Sequence, residues 1–356
     1  MSDAKRVLLY GANGYTGNLI ARLARQQPDA PELVLAGRSA SKVAPIAKQL
    51  GYQARVFGLD VASTIDACLE GIDVVLHCAG PFSRTAVPMA EACMRARVHY
   101  LDVTGELDVF SALEKRDADA RSAGIMLMPG VGYDVVPSDC LALHTAGRIM
   151  NPTKLRIALR SIGGQVSHGT ATTITENIHK GSAVRRGGQL KKVAIGKITR
   201  KVDFGRGPKP VMNAPLGDLV TAFHSTGIGD IECFVSAKPA AILGARALGF
   251  VPWLLESRPL QKLMKRRIDA APAGPTDEQR AQASTIIWAE VENAAGQRAT
   301  SRLHTPEGYT TTALAALGIA KAVCEGKAQP GYRSPAQLLG ADFILSIPGT
   351  RFEDLS

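Results

Sequence analysis

The 356-residue sequence lacks the features that mark several specialised classes of protein. Its six cysteines form no CxxC pair, which argues against a zinc site or a disulfide framework and fits reduced thiols. The amino-terminal apolar run ends in glycines after a few residues, unlike a signal peptide, so we expect a cytoplasmic protein. The most apolar stretch, residues 239–255, contains Arg246 and Pro252 and falls short of the about 20 residues that span a membrane.

Several catalytic motifs are also missing. No tyrosine is followed by lysine four residues later, so the Tyr–Lys pair of short-chain dehydrogenases is absent. The chain contains no HExxH, GxSxG or GK[ST] motif, and no two histidines stand four residues apart with an acid between them. We therefore predict chemistry that uses neither a bound metal nor a serine nucleophile.

Positive charge is confined to the second part of the chain. Residues 1–135 carry a net charge of −1, whereas residues 136–356 carry +11 and place nine Lys and Arg between positions 185 and 209. One interpretation is a solvated basic surface. The other is attraction to an anion, such as a phosphate-bearing substrate, an acyl carrier or a membrane surface. Nucleic acid is disfavoured because no zinc-finger spacing or RNP-type motif accompanies the charge.

The first part of the chain alternates apolar runs of β type with helical patterns. Strands are predicted over residues 6–10, 33–36, 55–59, 74–78, 99–103 and 125–129, and helices between them include 14–25, 41–50 and 87–96. Near-continuous apolar strands separated by helices indicate a parallel sheet that is covered on both faces. The predicted fold is α/β, with a doubly wound Rossmann domain.

After about Pro137 the pattern changes to longer strands with alternating character. Strands are predicted over 154–162, 284–292 and 298–304, helices over 170–179, 240–255 and 310–324, and a loop over 271–276. These elements predict a second, α+β domain with a mainly antiparallel sheet. Residues 239–268 fit either a core or interface helix pair, which we favour, or an amphipathic segment on a membrane surface.

A glycine-rich loop joins the first strand to the first helix. Gly11, Gly14 and Gly17 are spaced three apart and are suited, in turn, to a tight turn, a close approach to pyrophosphate and helix–strand packing. The helix start then offers free N–H groups to phosphate. With them, the predicted cofactor-binding residues of this loop are Asn13, Tyr15 and Thr16.

The second strand ends in a basic and hydroxylated segment. An NAD site usually has an acidic residue here for the ribose 2′-hydroxyl, but this chain has Arg38, followed by Ser39 and Lys42. A guanidinium binds phosphate in bidentate fashion and stacks on adenine. The residues therefore favour NADP(H), although Arg38 also fits a solvent-exposed residue at a helix start.

Two further strand ends complete the predicted cofactor site. Asp60 follows the third strand, where a carboxylate commonly meets the adenine edge. Ala79, Gly80 and Pro81 follow the fourth strand and are expected to line the nicotinamide ribose. The loops DVTGE (102–106) and GVGYD (130–134), after the fifth and sixth strands, are expected to border the reaction centre.

Taken in order, these segments resemble a known family. YGANGYTG, AGRSASK, CAGPF, YLDVTGE and GVGYDVVPSD, followed by SHGTATT, VDFGRGP, HSTGIGDIE, GPTDEQR and PEGYTTTALAAL, are similar to the saccharopine dehydrogenase-like oxidoreductases, which include trans-acting enoyl reductases. The resemblance implies a Rossmann domain over residues 1–136, an α+β substrate or dimerisation domain over 137–305, and carboxy-terminal helices over 306–356 that return to the first domain.

Candidate catalytic residues are few. A bound NADPH without a metal or nucleophile indicates hydride transfer, with the protein supplying orientation and a proton. Tyr133, Asp134 and His168 are the candidate proton donors, although Tyr133 and Asp134 also fit a helix-entry turn and His168 a hydrogen-bonding role. Glu106 and Thr170 are candidate substrate-binding residues, and Glu106 alternatively caps the helix that follows it.

Three functions remain open from the sequence. The first is an NADP(H)-dependent reductase acting on a C=C or C=N bond of an anionic, acyl, lipid-like or amino-acid-derived small molecule. The second is a non-catalytic NADP(H)-binding protein at a membrane surface or in a complex. The third, ranked lowest, is a saccharopine enzyme of the lysine pathway. A homodimer is compatible with each of them.

Overall fold

The computed structural model describes residues 5–177, 180–248, 266–268, 270 and 272–355. The chain divides into two compact units. The first contains residues up to Val136 together with Tyr309–Leu338, and the second contains Pro137–Gly308 and Leu339–Ser356.

The described strands and helices alternate regularly only in the first part of the chain. The strands are β1 Arg6–Tyr10, β2 Glu32–Gly37, β3 Gln53–Val56, β4 Val74–His77, β5 His99–Asp102, β6 Met126–Met128, β7 Pro152–Ile162, β8 Ser182–Arg186, β9 Gln189–Val193, β10 Thr199–Asp203, β11 Pro208–Asn213, β12 Asp230–Ser236, β13 Ser284–Asn293, β14 Arg298–Pro306, β15 Gly331–Tyr332 and β16 Arg351–Asp354. The α-helices are α1 Tyr15–Gln26, α2 Ala40–Leu50, α3 Ala62–Cys68, α4 Phe82–Ala96, α5 Leu107–Glu114, α6 Asp117–Ala123, α7 Val136–Ala146, α8 His168–Asn177, α9 Asp218–Thr226, α10 Pro239–Leu248, α11 Asp277–Gln282, α12 Gly308–Ala322 and α13 Pro335–Leu339. A π-helical turn, Val323–Lys327, follows α12, and a 3-10 helix occupies Ala341–Ser346.

The first unit is built on a seven-stranded parallel sheet in the order β15-β6-β5-β4-β1-β2-β3. All four residues of β4, and all but the first residue of β1, are buried, because helices cover both faces of a sheet of this kind. Five of the six predicted strands and the doubly wound fold are confirmed. The third strand, predicted over 55–59, instead occupies Gln53–Val56 and is mostly exposed, because it lies at the edge of the sheet. The seventh strand, β15, was missed because two residues leave no periodic pattern.

The second unit is built on a mostly antiparallel sheet. Its order is β10-β11-β12-β7-β13-β14-β16, and the β8–β9 hairpin branches from β12. The predicted pairing of the strand at 284–292 with that at 298–304 is confirmed, since β13 and β14 are antiparallel neighbours. One pair, β12 with β7, is parallel.

The carboxy-terminal segment is shared between the units. Tyr309–Leu338, with α12 and β15, belongs to the first unit. Leu339–Ser356 instead belongs to the second unit, where β16 pairs with β14. The predicted helix at 240–255 is observed as α10, Pro239–Leu248, and the rest of that helix lies outside the described residues, as do residues 249–265 of the segment 239–268.

Candidate active site

The glycine-rich loop runs from the end of β1 to the start of α1. Gly11 has φ +88°, and a methyl group added there would lie 2.8 Å from the backbone nitrogen of Ala79. The Gly11 amide donates to the carbonyl oxygen of Ala36, at 2.8 Å. The turn therefore needs a residue without a side chain, because the loops after β1 and β4 touch here.

The start of α1 is open to an anion. A methyl group at Gly17 would collide with the carbonyl oxygen of Gly11, so this glycine permits the helix to pack on the turn. At Gly14 the nearest atom to an added methyl group is 3.2 Å away. The helix has no side-chain cap and no acidic residue in its first turn. The N–H groups of the first turn and the helix dipole suit this end to a pyrophosphate.

The start of α2 likewise lacks a side-chain cap and an acidic first-turn residue, and it lies next to Arg38. Ser39 precedes this helix without capping it through its side chain, and the first turn contains no acidic residue. The hydroxyls of Ser39 and Ser41 are 3.1 Å apart, and the Arg38 side chain is exposed. Together with Lys42, these groups place two cations and two hydroxyls at the start of α2.

Asp60 lies on the loop after β3, beside the end of β1. The charges of Asp60 and Arg38 both act on the hydroxyl of Tyr10, whose pKa is raised to about 12, chiefly by burial. The Tyr10 hydroxyl donates to the carbonyl oxygen of Phe57 at 3.0 Å. Near Arg38, the side-chain oxygen of Asn13 lies 3.0 Å from the position of an added methyl group on Gly37.

The loop after β4, which contains Ala79, Gly80 and Pro81, is held from α4. The Thr85 hydroxyl hydrogen-bonds to the carbonyl oxygens of Ala79, at 2.7 Å, and Pro81, at 3.1 Å. It also contacts Nε2 of His77, whose pKa burial lowers to about 3, so that this imidazole is neutral. The loop predicted to line the nicotinamide ribose is therefore rigidly anchored.

The carboxylate of Glu106 is hydrogen-bonded to the protein's own backbone. Its two carboxylate oxygens accept hydrogen bonds from the backbone N–H groups of Phe82, at 2.8 Å, and Ser83, at 3.1 Å, in the first turn of α4. The residue is 5% exposed. The sequence left open whether Glu106 binds substrate or caps the following helix; its side chain caps α4, which precedes it in the chain.

A second carboxylate, Asp102, holds two loops together. Its Oδ1 accepts from the amides of Thr104, at 2.9 Å, and Gly130, at 3.0 Å, while Oδ2 accepts from the Tyr100 hydroxyl at 2.7 Å. Burial raises the pKa of Asp102 to about 6 in spite of these three donors. The loops DVTGE and GVGYD are thereby both hydrogen-bonded to the same carboxylate.

Asp134 lies on the GVGYD loop beside Gly105. Its Oδ2 would be 2.8 Å from a methyl group on Gly105, so the DVTGE loop accommodates this carboxyl only through a glycine. Desolvation raises the pKa of Asp134 to about 6, although the residue retains some exposure. A carboxyl group of this kind is protonated in part near neutral pH and is suited to proton transfer.

Helix α12 contributes residues to the site that the sequence did not assign. The Thr312 hydroxyl accepts from the amide of Tyr133 at 2.9 Å, and the ring of Tyr309 meets that of Tyr15 edge to face. Both lie in PEGYTTTALAAL, a segment that carried the resemblance but no predicted role. No local signal links a helix near residue 310 to a loop near residue 15.

His168 and Thr170 belong to the second unit. Ser167 caps α8, since its hydroxyl accepts from the amide of Thr170 at 3.3 Å and lies 3.3 Å from the Thr170 hydroxyl. The His168 amide donates to the carbonyl oxygen of Ala273 at 3.1 Å. The cap is thus Ser167, and the catalytic and substrate-binding roles of His168 and Thr170 stay predictions.

The predicted cofactor residues of the first unit follow the carboxyl ends of β1 to β4, which are neighbours in one parallel sheet. The carboxyl ends of such strands are where open α/β sheets bind dinucleotides. Over the described residues no cluster of three or more His, Cys, Asp or Glu is arranged to hold a metal ion. No helix in that same part of the chain is long and apolar enough to cross a membrane.

A fold and site of this kind define a Rossmann-type dinucleotide-binding domain, and comparison with known proteins agrees. Residues 7–128 match the saccharopine dehydrogenase NADP-binding domain family. Residues 7–128 are therefore similar to the NADP-binding domain of that family, in agreement with the resemblance noted from the sequence.

Curated relatives are similar over part of their length. A Mycobacterium tuberculosis relative is 33% identical over 182 residues, which are 48% of this chain and 43% of that protein. A trans-acting enoyl reductase of Mycobacterium leprae is 34% identical over 148 residues, covering 39% of this chain and 35% of that protein. The match thus spans less than half of these relatives.

Solved structures share the fold of the whole chain. Apo saccharopine dehydrogenase (L-Glu forming) from Saccharomyces cerevisiae superposes with a TM-score of 0.68 at 13% identity, covering 99% of this chain and 100% of that one. Homospermidine synthase from Legionella pneumophila, in complex with NAD, gives 0.67 at 9% identity and covers 99% and 91%. At these identities the likeness establishes the fold.

Proposed function

We propose that the chain is an NADP(H)-dependent reductase that transfers hydride to a C=C or C=N bond of an anionic acyl, lipid-like or amino-acid-derived substrate. The observation that carries the proposal is the uncapped start of α1 behind Gly11 and Gly17, in a domain whose family binds NADP. This site fits a pyrophosphate, and the bound nicotinamide would supply the hydride.

The preference for NADP(H) over NAD(H) rests on the start of α2. Arg38 and Lys42 provide positive charge where an NAD site commonly has a carboxylate, and the helix itself has no acidic residue in its first turn. Ser39 and Ser41 add hydroxyl groups at the same place. These groups would hold a ribose 2′-phosphate.

Asp134 is the proposed proton source. Its raised pKa, about 6, keeps a fraction of the carboxyl protonated at neutral pH, and its loop follows the carboxyl end of β6. Asp102 and Thr312 would fix that loop through the amides of Gly130 and Tyr133. Tyr133 is the neighbouring alternative donor.

The substrate class follows from the relatives and from the second unit. The enoyl reductase name of the mycobacterial relatives favours a C=C bond in an acyl chain. Among the cations of residues 185–209, Arg185 is buried against Phe223 and the carbonyl oxygen of Leu219, and two others are half-buried. The exposed ones are Lys191, Lys192, Lys197, Arg200, Lys201 and Arg206. Such a surface would attract an anionic substrate or an acyl carrier.

The test is a turnover assay with the purified chain, NADPH, and a panel of enoyl thioesters and imines. The loss of NADPH absorbance measures the rate. Oxidation of NADPH with one substrate class, and weaker activity with NADH, is the expected result. NADPH binding without turnover across the panel would contradict the reductase proposal.

One observation favours the second candidate, a non-catalytic NADP(H)-binding protein at a membrane surface. Leu243 on α10 is 69% exposed, close to Arg246, which hydrogen-bonds to the carbonyl oxygen of Gly196. An exposed apolar side chain beside cations is typical of helices that lie on anionic membranes. Flotation with vesicles containing phosphatidylglycerol tests this candidate, with Leu243→Asp expected to weaken the association.

A further inference from the structure

Two helices of the first unit begin after neighbouring strands of its sheet, and only one has an internal anion. α1 follows β1 and has neither a side-chain cap nor an acidic residue in its first turn. α4 follows β4, and both carboxylate oxygens of Glu106 accept hydrogen bonds from its first two residues, Phe82 and Ser83. Two N–H groups in the first turn of α4 are therefore already hydrogen-bonded before any ligand binds.

The electrostatic consequence is a difference between the two helix starts. A helix amino terminus carries a partial positive charge and attracts anions. At α4 the Glu106 carboxylate offsets that charge, and it is 5% exposed, so an external anion does not displace it readily. The first turn of α1 has neither a side-chain cap nor an acidic residue to offset its charge in this way.

Glu106 is also fixed at its own backbone. Its amide donates to the Thr104 hydroxyl at 3.1 Å, and the Thr104 amide donates to Oδ1 of Asp102 at 2.9 Å. The carboxylate thus links the end of β5 to the first turn of α4. The same turn carries Thr85, which holds the carbonyl oxygens of Ala79 and Pro81.

We propose that Glu106 is a positioning residue for the cofactor: its carboxylate is the resident anion of α4. It fixes the loop containing Ala79 and Pro81 against the nicotinamide end of the dinucleotide and leaves α1 as the helix start that receives the pyrophosphate. This inference rests on the proposed NADP(H)-dependent function and assigns Glu106 to cofactor rather than substrate.

The experiment measures NADPH affinity by fluorescence titration of the full chain. Glu106→Ala removes two charge-assisted hydrogen bonds and opens the start of α4, so NADPH should bind about 10-fold more weakly. Acetate, a carboxylate of the size that was removed, should restore affinity. Inorganic phosphate should compete with NADPH more strongly than in the unsubstituted protein. Asp108→Ala removes an exposed acid two residues away and should change none of these values.

Glu106→Gln keeps the shape of the side chain but loses its charge, and it should weaken NADPH binding by less than Glu106→Ala. This variant serves where the alanine variant fails to fold. Unchanged NADPH affinity in a folded variant, or an alanine variant that acetate does not rescue, would overturn the proposal. A raised substrate KM with normal NADPH affinity would show that Glu106 binds substrate instead, and would also overturn the proposal. Absence of NADPH binding by the unsubstituted protein would instead contradict the proposed function.

Discussion

The rings of Tyr15 and Tyr309 meet edge to face, with their centroids 4.9 Å apart and their planes at 79°. Tyr15 is the first residue of α1, directly after the glycine-rich loop, and Tyr309 lies in the first turn of α12. Helix α12 therefore contacts the residue that directly follows the loop predicted to bind pyrophosphate. An edge-to-face pair of this kind contributes about 1 kcal/mol beyond the burial of its area.

Removing the ring of Tyr309 should weaken cofactor binding through Tyr15. We expect Tyr309→Ala to lower NADPH affinity several-fold, since about 1 kcal/mol corresponds to roughly a fivefold change in an equilibrium constant. Tyr309→Phe keeps the ring and is the matched control, with near-normal affinity. Isothermal titration with NADPH measures both, and equal affinities for the alanine and phenylalanine variants would contradict the role of the ring.

Substitution of Gly14, which precedes α1, and of Gly17, in its first turn, should have different consequences. An added methyl group collides with the Gly11 carbonyl oxygen at Gly17 but meets no atom closer than 3.2 Å at Gly14. Gly17→Ala should therefore lower the free energy of unfolding by roughly 1–3 kcal/mol.

Gly14→Ala should cost less stability than Gly17→Ala, because its nearest contact, the Gly11 carbonyl oxygen at 3.2 Å, requires only a small shift. It should weaken NADPH binding, because the added methyl group stands at the start of α1, where the pyrophosphate is proposed to bind. Urea unfolding and NADPH titration of both variants separate the two effects. A stability loss at Gly14 equal to that at Gly17 would show that both positions serve packing alone.

Arg38 should determine the preference between the two nicotinamide cofactors. Arg38→Ala removes a guanidinium next to the open start of α2, and loss of a charge-assisted contact should weaken NADPH binding roughly 10- to 100-fold. NADH binding should change little. Lys48→Ala, at the opposite end of α2, is the control and should preserve the NADPH preference. A parallel loss of both cofactors in Arg38→Ala would rule out a selective contact with the 2′-phosphate.

The pH dependence of turnover should identify the proton donor. The pKa of Asp134 is about 6, so the carboxyl that donates is populated below this value and is lost as the pH rises through it. If Asp134 donates the proton, kcat falls above about pH 6. Asp134→Asn should lower kcat roughly 10²- to 10⁴-fold and abolish that limb of the profile.

Tyr133→Phe, in the adjacent position, should retain the limb of the pH profile near pH 6. Steady-state rates across the pH range with saturating NADPH test both variants. Loss of activity in Tyr133→Phe together with an unchanged profile in Asp134→Asn would transfer the donor role to the tyrosine.

Acid should weaken the carboxy-terminal strand β16. Although burial opposes it, hydrogen bonds from Ser301 and His144 lower the pKa of Asp354 below its usual value. A carboxylate whose pKa is lowered in the folded state stabilises the fold above its unfolded pKa, about 4, and loses that contribution as the pH falls through the folded value.

Asp354→Asn should therefore lower the melting temperature at pH 7 and reduce the fall in melting temperature between pH 5 and pH 3, ranges set by the unfolded pKa of about 4. Asp342→Asn, an exposed acid in the preceding 3-10 helix, should melt like the unsubstituted protein. A calorimetric pH series compares the three proteins. An unaltered acid response in Asp354→Asn would contradict the contribution of these hydrogen bonds.

The sequence by itself determined the parallel sheet of the first unit and the position of its dinucleotide loop. Each apolar strand and the glycine spacing of Gly11, Gly14 and Gly17 is a local pattern, and the conformation of a residue such as Gly11 follows from its lack of a side chain. The antiparallel pairing of β13 with β14 was also predictable, since the two strands are near neighbours in the chain.

The tertiary structure decided which side chains are free to act. The sequence leaves Glu106 as either a substrate ligand or a cap of the following helix, but its oxygens accept hydrogen bonds from Phe82 and Ser83, 24 and 23 residues away. Contacts between segments far apart in the chain likewise bring Tyr309 to Tyr15. They also place Leu339–Ser356 in the second unit rather than the first. Local patterns fix where a strand or turn forms, whereas the partner of a side chain is set by packing energies summed over the whole folded unit.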